Sequence, residues 1–391
     1  MQKNKIAYIQ RLCEILLVSL YLGFTSFGGP IAHLGYFHAE YVRRRKWINE
    51  TLYSDLVALC QFLPGPASSQ VGIAIGTYRA GILGGFTAWL GFTLPSALAL
   101  VIAYYGLREF DPTRLTWLHG LKIVAVAVVT QAVWSMGVKL APDKTRATIA
   151  LLGAIITLLW PTAYIQILVI AAAGLLGVLL KKSGAPVSLQ GMAFPISKRT
   201  GIVALCLFAG FLTGLPLLRY TLLNDWVSIF DTFFRIGSLV FGGGHVVLPL
   251  LEREVVPVGW VERSQFLTGY GLTQAVPGPL FTFAAYLGAV MKGWPGAAVS
   301  TTAIFLPSFL LVIGVVPFWN TLRTNPRLQS ALWAINAAVV GILLAALYDP
   351  VWTSAINSAT DFTAAIVCFG LLQLWHAPPW CVVIIACLLT L

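Results

Sequence analysis

The chain has 391 residues, 58% hydrophobic and only 10% charged, with a mean hydropathy of +0.83. An average soluble domain is about 45–50% apolar and about 25% charged, so an ordinary cytosolic enzyme, a disordered chain and a secreted disulfide scaffold are excluded. The net charge of +11 fits either nucleic-acid binding or the basic cytoplasmic loops of a membrane protein; the apolar excess selects the second.

Backbone in lipid must satisfy its own hydrogen bonds, so spans are helices or closed barrels. The apolar runs are long and do not alternate, which predicts helices rather than barrel strands. Lys3, Lys5 and Arg11 precede the first apolar run, but no small-x-small cleavage site follows, so an uncleaved first segment is expected. The run 12–27 ends at Phe27-Gly28-Gly29-Pro30, and a second interruption, Leu63-Pro64-Gly65-Pro66, separates two half-length runs. Spans are then predicted at 82–107, 117–139, 146–160 and 163–180, the last two joined at Trp160-Pro161 as a tight hairpin. A polar linker at 181–199 divides the chain, and a connecting span follows at 200–218.

The second half repeats both interruptions, as Phe241-Gly242-Gly243-Gly244 and Val276-Pro277-Gly278-Pro279, before spans at 296–319, 329–348, 352–374 and 378–391. Pro removes a donor and Gly frees the backbone, so each interruption stops one half-helix and starts another. The halves align on unusual residues: Glu40 with Glu254, Trp47 with Trp260, Gln61 with Gln274, Pro64-Gly65-Pro66 with Pro277-Gly278-Pro279, Arg79 with Lys292 and Leu94-Pro95-Ser96 with Leu306-Pro307-Ser308. This is an internal duplication, with repeats at 1–180 and 219–391. If each broken stretch enters and returns on one side and the N-terminus is cytoplasmic, most of the 25 Lys and Arg fall inside. Arg43-Arg44-Arg45-Lys46 in the first copy faces Pro257-Val258-Gly259 in the second, which predicts opposite orientations. The expected fold is an all-α polytopic membrane protein of two inverted-topology repeats with broken, re-entrant helices, a pattern of secondary transporters.

Phe24-Thr25-Ser26-Phe27-Gly28-Gly29-Pro30-Ile31-Ala32-His33 resembles the first signature of the chromate ion transporter family, long-chain two-domain type. Gln61 to Gln70 resembles its second, and the second-half motifs resemble the other half of its two-domain members. The resemblance covers nearly the whole chain. It implies a multi-pass protein of the bacterial inner membrane that exports chromate and confers chromate resistance; sulfate or another oxyanion is the alternative cargo.

Half-helix N-termini present free N–H groups and partial positive charge, which suits a tetrahedral dianion that must also be released. The expected substrate site therefore comprises Gly28, Gly29, His33, Gln61, Pro64, Gly65, Pro66, Ser68 and Ser69, with Gly242, Gly243, Gly244, His245, Gln274, Pro277, Gly278 and Pro279. The competing reading is that these Gly and Pro residues only permit close helix packing. Arg235 inside a span either supplies a permanent charge to the anion or pairs with Asp231. Arg79 and Lys292 either attract the anion at the two mouths or anchor half-helices in headgroups; Glu40 and Glu254 either carry a coupled proton or balance a basic neighbour, Arg43 or Arg253. Gln61 and Gln274 donate either to the anion or to freed carbonyls. His33 and His245 serve as proton sensors, donors or packing.

The six cysteines show no CxxC and read as packing residues, and neither a metal site nor a cofactor is expected. No Walker A motif is present. A catalytic reading would require a nucleophile and base, or a metal cluster, at membrane depth, and none is visible, so an intramembrane enzyme is the weaker alternative. Expected partners are the oxyanion, membrane lipid, a coupled proton or counter-anion and a second copy of the chain as a homodimer; nucleic acid is not among them.

Overall fold

The computed structural model describes residues 2–27, 29–108, 117–160, 162–180, 194–241, 244–322 and 325–390. Gly28, Gly242, Gly243 and most of the 181–199 linker lie outside the described residues. Among the described residues every regular element is helical.

The first half runs through α1 (Gln2–Thr25), α2 (Gly29–Phe37), a π-helical stretch (His38–Arg44), α3 (Glu50–Phe62), α4 (Ala67–Arg108), α5 (Trp117–Leu140), α6 (Lys144–Leu159) and α7 (Ala163–Leu180). After α8 (Lys198–Leu222) come α9 (Asp225–Leu239), a 3-10 turn (Gly244–Val246), α10 (Val247–Val255), α11 (Arg263–Ala275), a second 3-10 turn (Leu280–Thr282) and α12 (Phe283–Val315). The chain ends with α13 (Trp319–Leu322), α14 (Pro326–Ala346), a π-helical stretch (Leu347–Trp352), α15 (Thr353–Ala355), α16 (Ala359–Gln373) and α17 (Pro379–Leu389). Six helical segments are long and apolar enough to cross a membrane: Ile6–Thr25, Ala67–Arg108, His119–Leu140, Lys198–Leu222, Leu280–Phe318 and Pro326–Ala355. Several starts are capped by side chains that accept an orphan backbone N–H. Asn49 caps α3, Asp143 α6, Ser197 α8, Asn224 α9, Asn325 α14 and Ser358 α16.

Two of the long helices reverse. In α4, Ala80 (φ −142°, ψ 26°) and Gly81 (φ 67°, ψ −161°) leave helical geometry. A Cβ on Gly76 would fall 2.8 Å from that of Ala88 and meet the Gly84 carbonyl. Residues eight apart in a straight helix stand about 12 Å apart, so the arms before and after Gly81 are antiparallel. In α12, Lys292 (φ −143°, ψ 25°) and Gly293 (φ 64°, ψ −152°) repeat the turn. Gly288 then packs on the Gly296 backbone, and Ser300 Oγ donates 2.6 Å to the Ala284 carbonyl. Glycine is needed at both turns because positive φ with extended ψ is closed to L side chains.

These reversals return each long helix toward the end at which its broken stretch began. From Glu14 the chain climbs α1 to Thr25, and α2 and the π-helical stretch bring it back to Arg45, which pairs with Glu14 at 3.3 Å. It then enters again along α3, turns at 63–66 and returns to Arg79, which pairs with Glu14 at 2.8 Å and stands 4.0 Å from the centre of the Trp47 ring. In the second half Lys292, at the end of the returning arm, pairs at 2.6 Å with Asp225, the first residue of α9. The remaining helices pack across the halves. α14 lies against α6 and α7, and α5 against α16 and α17. Close approach is set by Gly177 on the Ser330 carbonyl and by Gly341 on the Ala150 carbonyl.

Replacing Gly288 by Val should cost about 1–3 kcal/mol through overpacking and lower the midpoint of thermal unfolding in detergent. Replacing Gly210 by Ala, where nothing lies within 4 Å of the added Cβ, should leave that midpoint unchanged or raised.

Candidate functional site

Each half contributes two mid-chain turns, and all four meet. Gly65 N–H donates 2.7 Å to the Val240 carbonyl, and Gly278 N–H donates 2.9 Å to the Ser26 carbonyl. Val240 and Ser26 occupy matching positions in the two copies, as do Gly65 and Gly278. Each half therefore gives the other the bond it receives, as an isologous two-fold contact requires. Both glycines hold positive φ, 119° and 106°. A Cβ on Gly278 would fall 2.7 Å from Ser96 Oγ; one on Gly65 would meet Ser308 Oγ and fall 2.8 Å from Gln70 Nε2. Ser96 and Ser308 are again repeat mates. The Gly29 turn joins the group, since its added Cβ would lie 3.9 Å from His245 Nε2.

The polar side chains around the turns are hydroxyls, amides and imidazoles, with apolar groups such as Phe92, 5.5 Å from the His33 ring, packed beside them. His33 is buried and its Nδ1 lies 3.3 Å from Ser68 Oγ. His245 Nδ1 lies 2.9 Å from Tyr270 Oη. Gln70 Nε2 donates 2.6 Å to the Pro64 carbonyl, satisfying an acceptor freed by the break. Ser26 Oγ, His33 Nε2, Ser69 Oγ and Gln274 Nε2 are buried and make no hydrogen bond among the described residues. Buried polar groups are nearly always partnered; here potential donors and one acceptor, Gln70 Oε1, lie unpartnered among the described residues beside the backbone breaks. Among the described residues no group of three or more His, Cys, Asp or Glu could hold a metal ion.

The predicted residues divide. Gly29, His33, Pro64, Gly65, Pro66, Ser68, Ser69, His245, Gln274, Pro277, Gly278 and Pro279 lie at the converging turns or on the helix ends leading from them, and Gly244 opens the 3-10 turn beside His245. Gln61 does not share the burial of its repeat mate Gln274, and its place at the breaks is taken by Gln70. Ser26, Gln70, Ser96, Tyr270 and Ser308 were not singled out in the sequence. Ser96 and Ser308 already stood in the repeat, and Gln70 closed the second signature.

The charged candidates stand away from the turns, in ion pairs. Arg235 reaches both Asp231, at 3.0 Å, and Glu254. Asp231 also takes Arg219 at 3.2 Å. Glu40 is buried against Arg45 at 2.6 Å and Arg44 at 3.2 Å, not Arg43. Glu254 pairs with Arg235, not Arg253. Arg253 belongs to a separate ring with Glu252, Arg263 and Asp349.

The sequence and the fold together define a multi-pass, all-α membrane protein. The chromate transporter family model matches residues 13–178 and again 227–391, so one pattern fits each half. The chain is 30% identical to the chromate transport protein of Pseudomonas aeruginosa over 84% of its own length and 79% of that protein. It is 26% identical to the chromate transport protein of Cupriavidus metallidurans over 92% and 88%. An uncharacterised transporter of Bacillus subtilis is 31% identical over 120 residues, which cover 30% of this chain and 67% of that protein. No solved structure matches the chain. The chain belongs to the chromate transporter family, whose named relatives are transporters rather than enzymes.

Replacing Glu254 by Gln leaves the Arg235 guanidinium, with 17% of its side chain exposed, one carboxylate short. This should cost about 2 kcal/mol, read as a fall in thermal stability. Arg44, with 66% of its side chain exposed, should tolerate Gln within about 0.5 kcal/mol.

Proposed function

We propose that this protein is a secondary active transporter that exports chromate from the cytoplasm across the bacterial inner membrane and so confers chromate resistance. The observation that carries the reading is the meeting of four backbone breaks around uncharged side chains, with buried groups such as Ser69 Oγ and Gln274 Nε2 left unpartnered. A tetrahedral dianion binds by accepting hydrogen bonds from backbone and side-chain donors. Binding without a lone fixed cation is weak enough to allow release. Broken helices at the junction of two repeats are where secondary transporters place their cargo.

The charges favour the same reading. Arg235 is neutralised by Asp231 and Glu254, so its role is to tie α9 to α10. The cargo's own charge then supplies the drive. One charge crossing 100 mV is worth about 2.3 kcal/mol, so a dianion leaving a negative-inside cell gains about 4.6 kcal/mol. Proton or counter-anion coupling adds to this, with His33 and His245 as the groups at the turns able to carry a proton. Opposite orientation of the repeats at 1–180 and 219–391, joined by the 181–199 linker and the 200–218 helix, is supported by the reciprocal Gly65 and Gly278 bonds. It is supported too by the basic Arg43–Lys46 run with its uncharged counterpart Pro257-Val258-Gly259. The N-terminus is then cytoplasmic.

Everted membrane vesicles carrying the protein should accumulate labelled chromate when energised, and unlabelled sulfate should compete only in proportion to its fit. Vesicles that take up neither anion, with folded protein present, would refute transport; uptake of sulfate with exclusion of chromate would reassign the cargo. Gly65→Leu or Gly278→Leu, each driving a side chain into the opposite half at positive φ, should reduce uptake at least a hundredfold, the scale of about 2.7 kcal/mol.

A further inference from the structure

A cavity of about 640 Å³ lies at the end of the molecule where both first-half hairpins begin and return. Its walls are Arg11, Trp47, Tyr78, Arg79, Phe194 and Pro195. Tyr78 and Phe194 pack edge to face, 5.5 Å between ring centres, and Arg79 lies over Trp47. Two guanidinium groups thus share one aromatic-walled cavity. Arg11 is exposed and has no carboxylate partner among the described residues, while Arg79 spends one N–H on Glu14 and its Nε is buried away from the cavity.

The charges around the cavity do not balance. Among the described residues, Arg11 and Arg79 of the lining, with Arg44 and Arg45 next to them, meet two carboxylates, Glu14 and Glu40, an excess of two positive charges in that group. The corresponding end of the second half is an internal control. There Arg219, Arg235 and Lys292 meet Asp225, Asp231 and Glu254 one for one. Like charges held in one cavity repel unless an anion sits between them. A guanidinium matches a tetrahedral oxyanion in both charge and geometry, and Arg11 brings one to the cavity beside the Glu14-paired Arg79.

We propose that this cavity is a second oxyanion site, separate from the converging turns, in which Arg11 and Arg79 hold the anion. The ligand is a sulfate- or phosphate-type group, either a free oxyanion or the phosphate of an anionic phospholipid. The site stands independently of the cargo reading, because none of its residues lies at the four turns.

The test uses the full chain in nanodiscs and labelled sulfate at low ionic strength. In phosphatidylcholine discs the wild type should bind one more sulfate per chain than Arg11→Gln, or bind it at least tenfold more tightly, with Arg11→Lys intermediate. Arg11 makes no ion pair among the described residues, and unchanged thermal stability of Arg11→Gln in the absence of sulfate shows that folding is intact. In discs containing phosphatidylglycerol, persistence of the Arg11-dependent sulfate assigns the site to a free oxyanion. Its loss, together with phosphatidylglycerol that is retained by the wild type and released by Arg11→Gln, assigns it to a lipid headgroup. If Arg11→Gln matches the wild type in both sulfate and phosphatidylglycerol binding, the proposal is overturned. That result would leave vesicle transport untouched, just as failed transport would leave the Arg11-dependent binding standing.

Discussion

The fold turns on one constraint: backbone that stops being helical inside an apolar bundle must still satisfy its N–H and C=O groups. Here the solution is exchange between halves. Gly65 N–H is taken by Val240, and Gly278 N–H by Ser26. Each Pro-Gly-Pro glycine thus finds its acceptor in the opposite half, which ties the two halves together. Exchange also explains why glycine occupies the centre of each Pro-Gly-Pro. The backbone needs positive φ there, and the serine of the opposite half, Ser308 or Ser96, already fills the space that a Cβ would take.

The same constraint shapes the chemistry of the centre. Where prolines and glycines break the helix, carbonyls and amides lose their partners. Some are recaptured locally, as the Pro64 carbonyl is by Gln70. Buried Ser26, Ser69, His33 and Gln274 groups then remain without partners among the described residues. Charged groups are excluded from this place by their own partners. Arg235 is held by two carboxylates and Glu40 by two arginines. A centre built this way offers hydrogen bonds without a lone arginine or lysine beside them.

Much of this was legible in the sequence because Gly and Pro act locally. The breaks, the duplication and the ends of the half-helices at Arg79 and Lys292 follow from residues that dictate backbone conformation where they stand. Helix boundaries came within a few residues for the same reason: α5 spans Trp117–Leu140 where 117–139 was expected. One predicted span, 352–374, is divided in the structure: α15 ends at Ala355 and α16 begins at Ala359, with Ser358 capping the new helix. What the sequence did not disclose is non-local. The partner of Glu254 is nineteen positions away in Arg235, and Gln70 faces Ser308 across the two halves. Nothing in the chain order announces such pairs. Repeat alignment even misleads at Gln61, since its burial differs from that of Gln274. Equivalent positions share backbone geometry, but their side chains meet different neighbours.

That last distinction separates what the duplication conserves from what it releases. Backbone geometry is copied closely: the turn angles at Ala80-Gly81 and Lys292-Gly293 agree to within about ten degrees. Positive φ recurs at Lys46 and at its mate Gly259. Charge is not copied. One end has four arginines around two glutamates, while the other balances its ions one for one. A pseudo-two-fold backbone treats its two ends alike and by itself cannot attract an anion from one side in preference to the other. Any such preference must come from the groups that break the symmetry, because uncompensated charge at a mouth raises the local concentration of an oppositely charged solute. In this chain those groups are Arg11, Arg44, Arg45 and Arg79, all in the half that also carries the Arg43–Lys46 run.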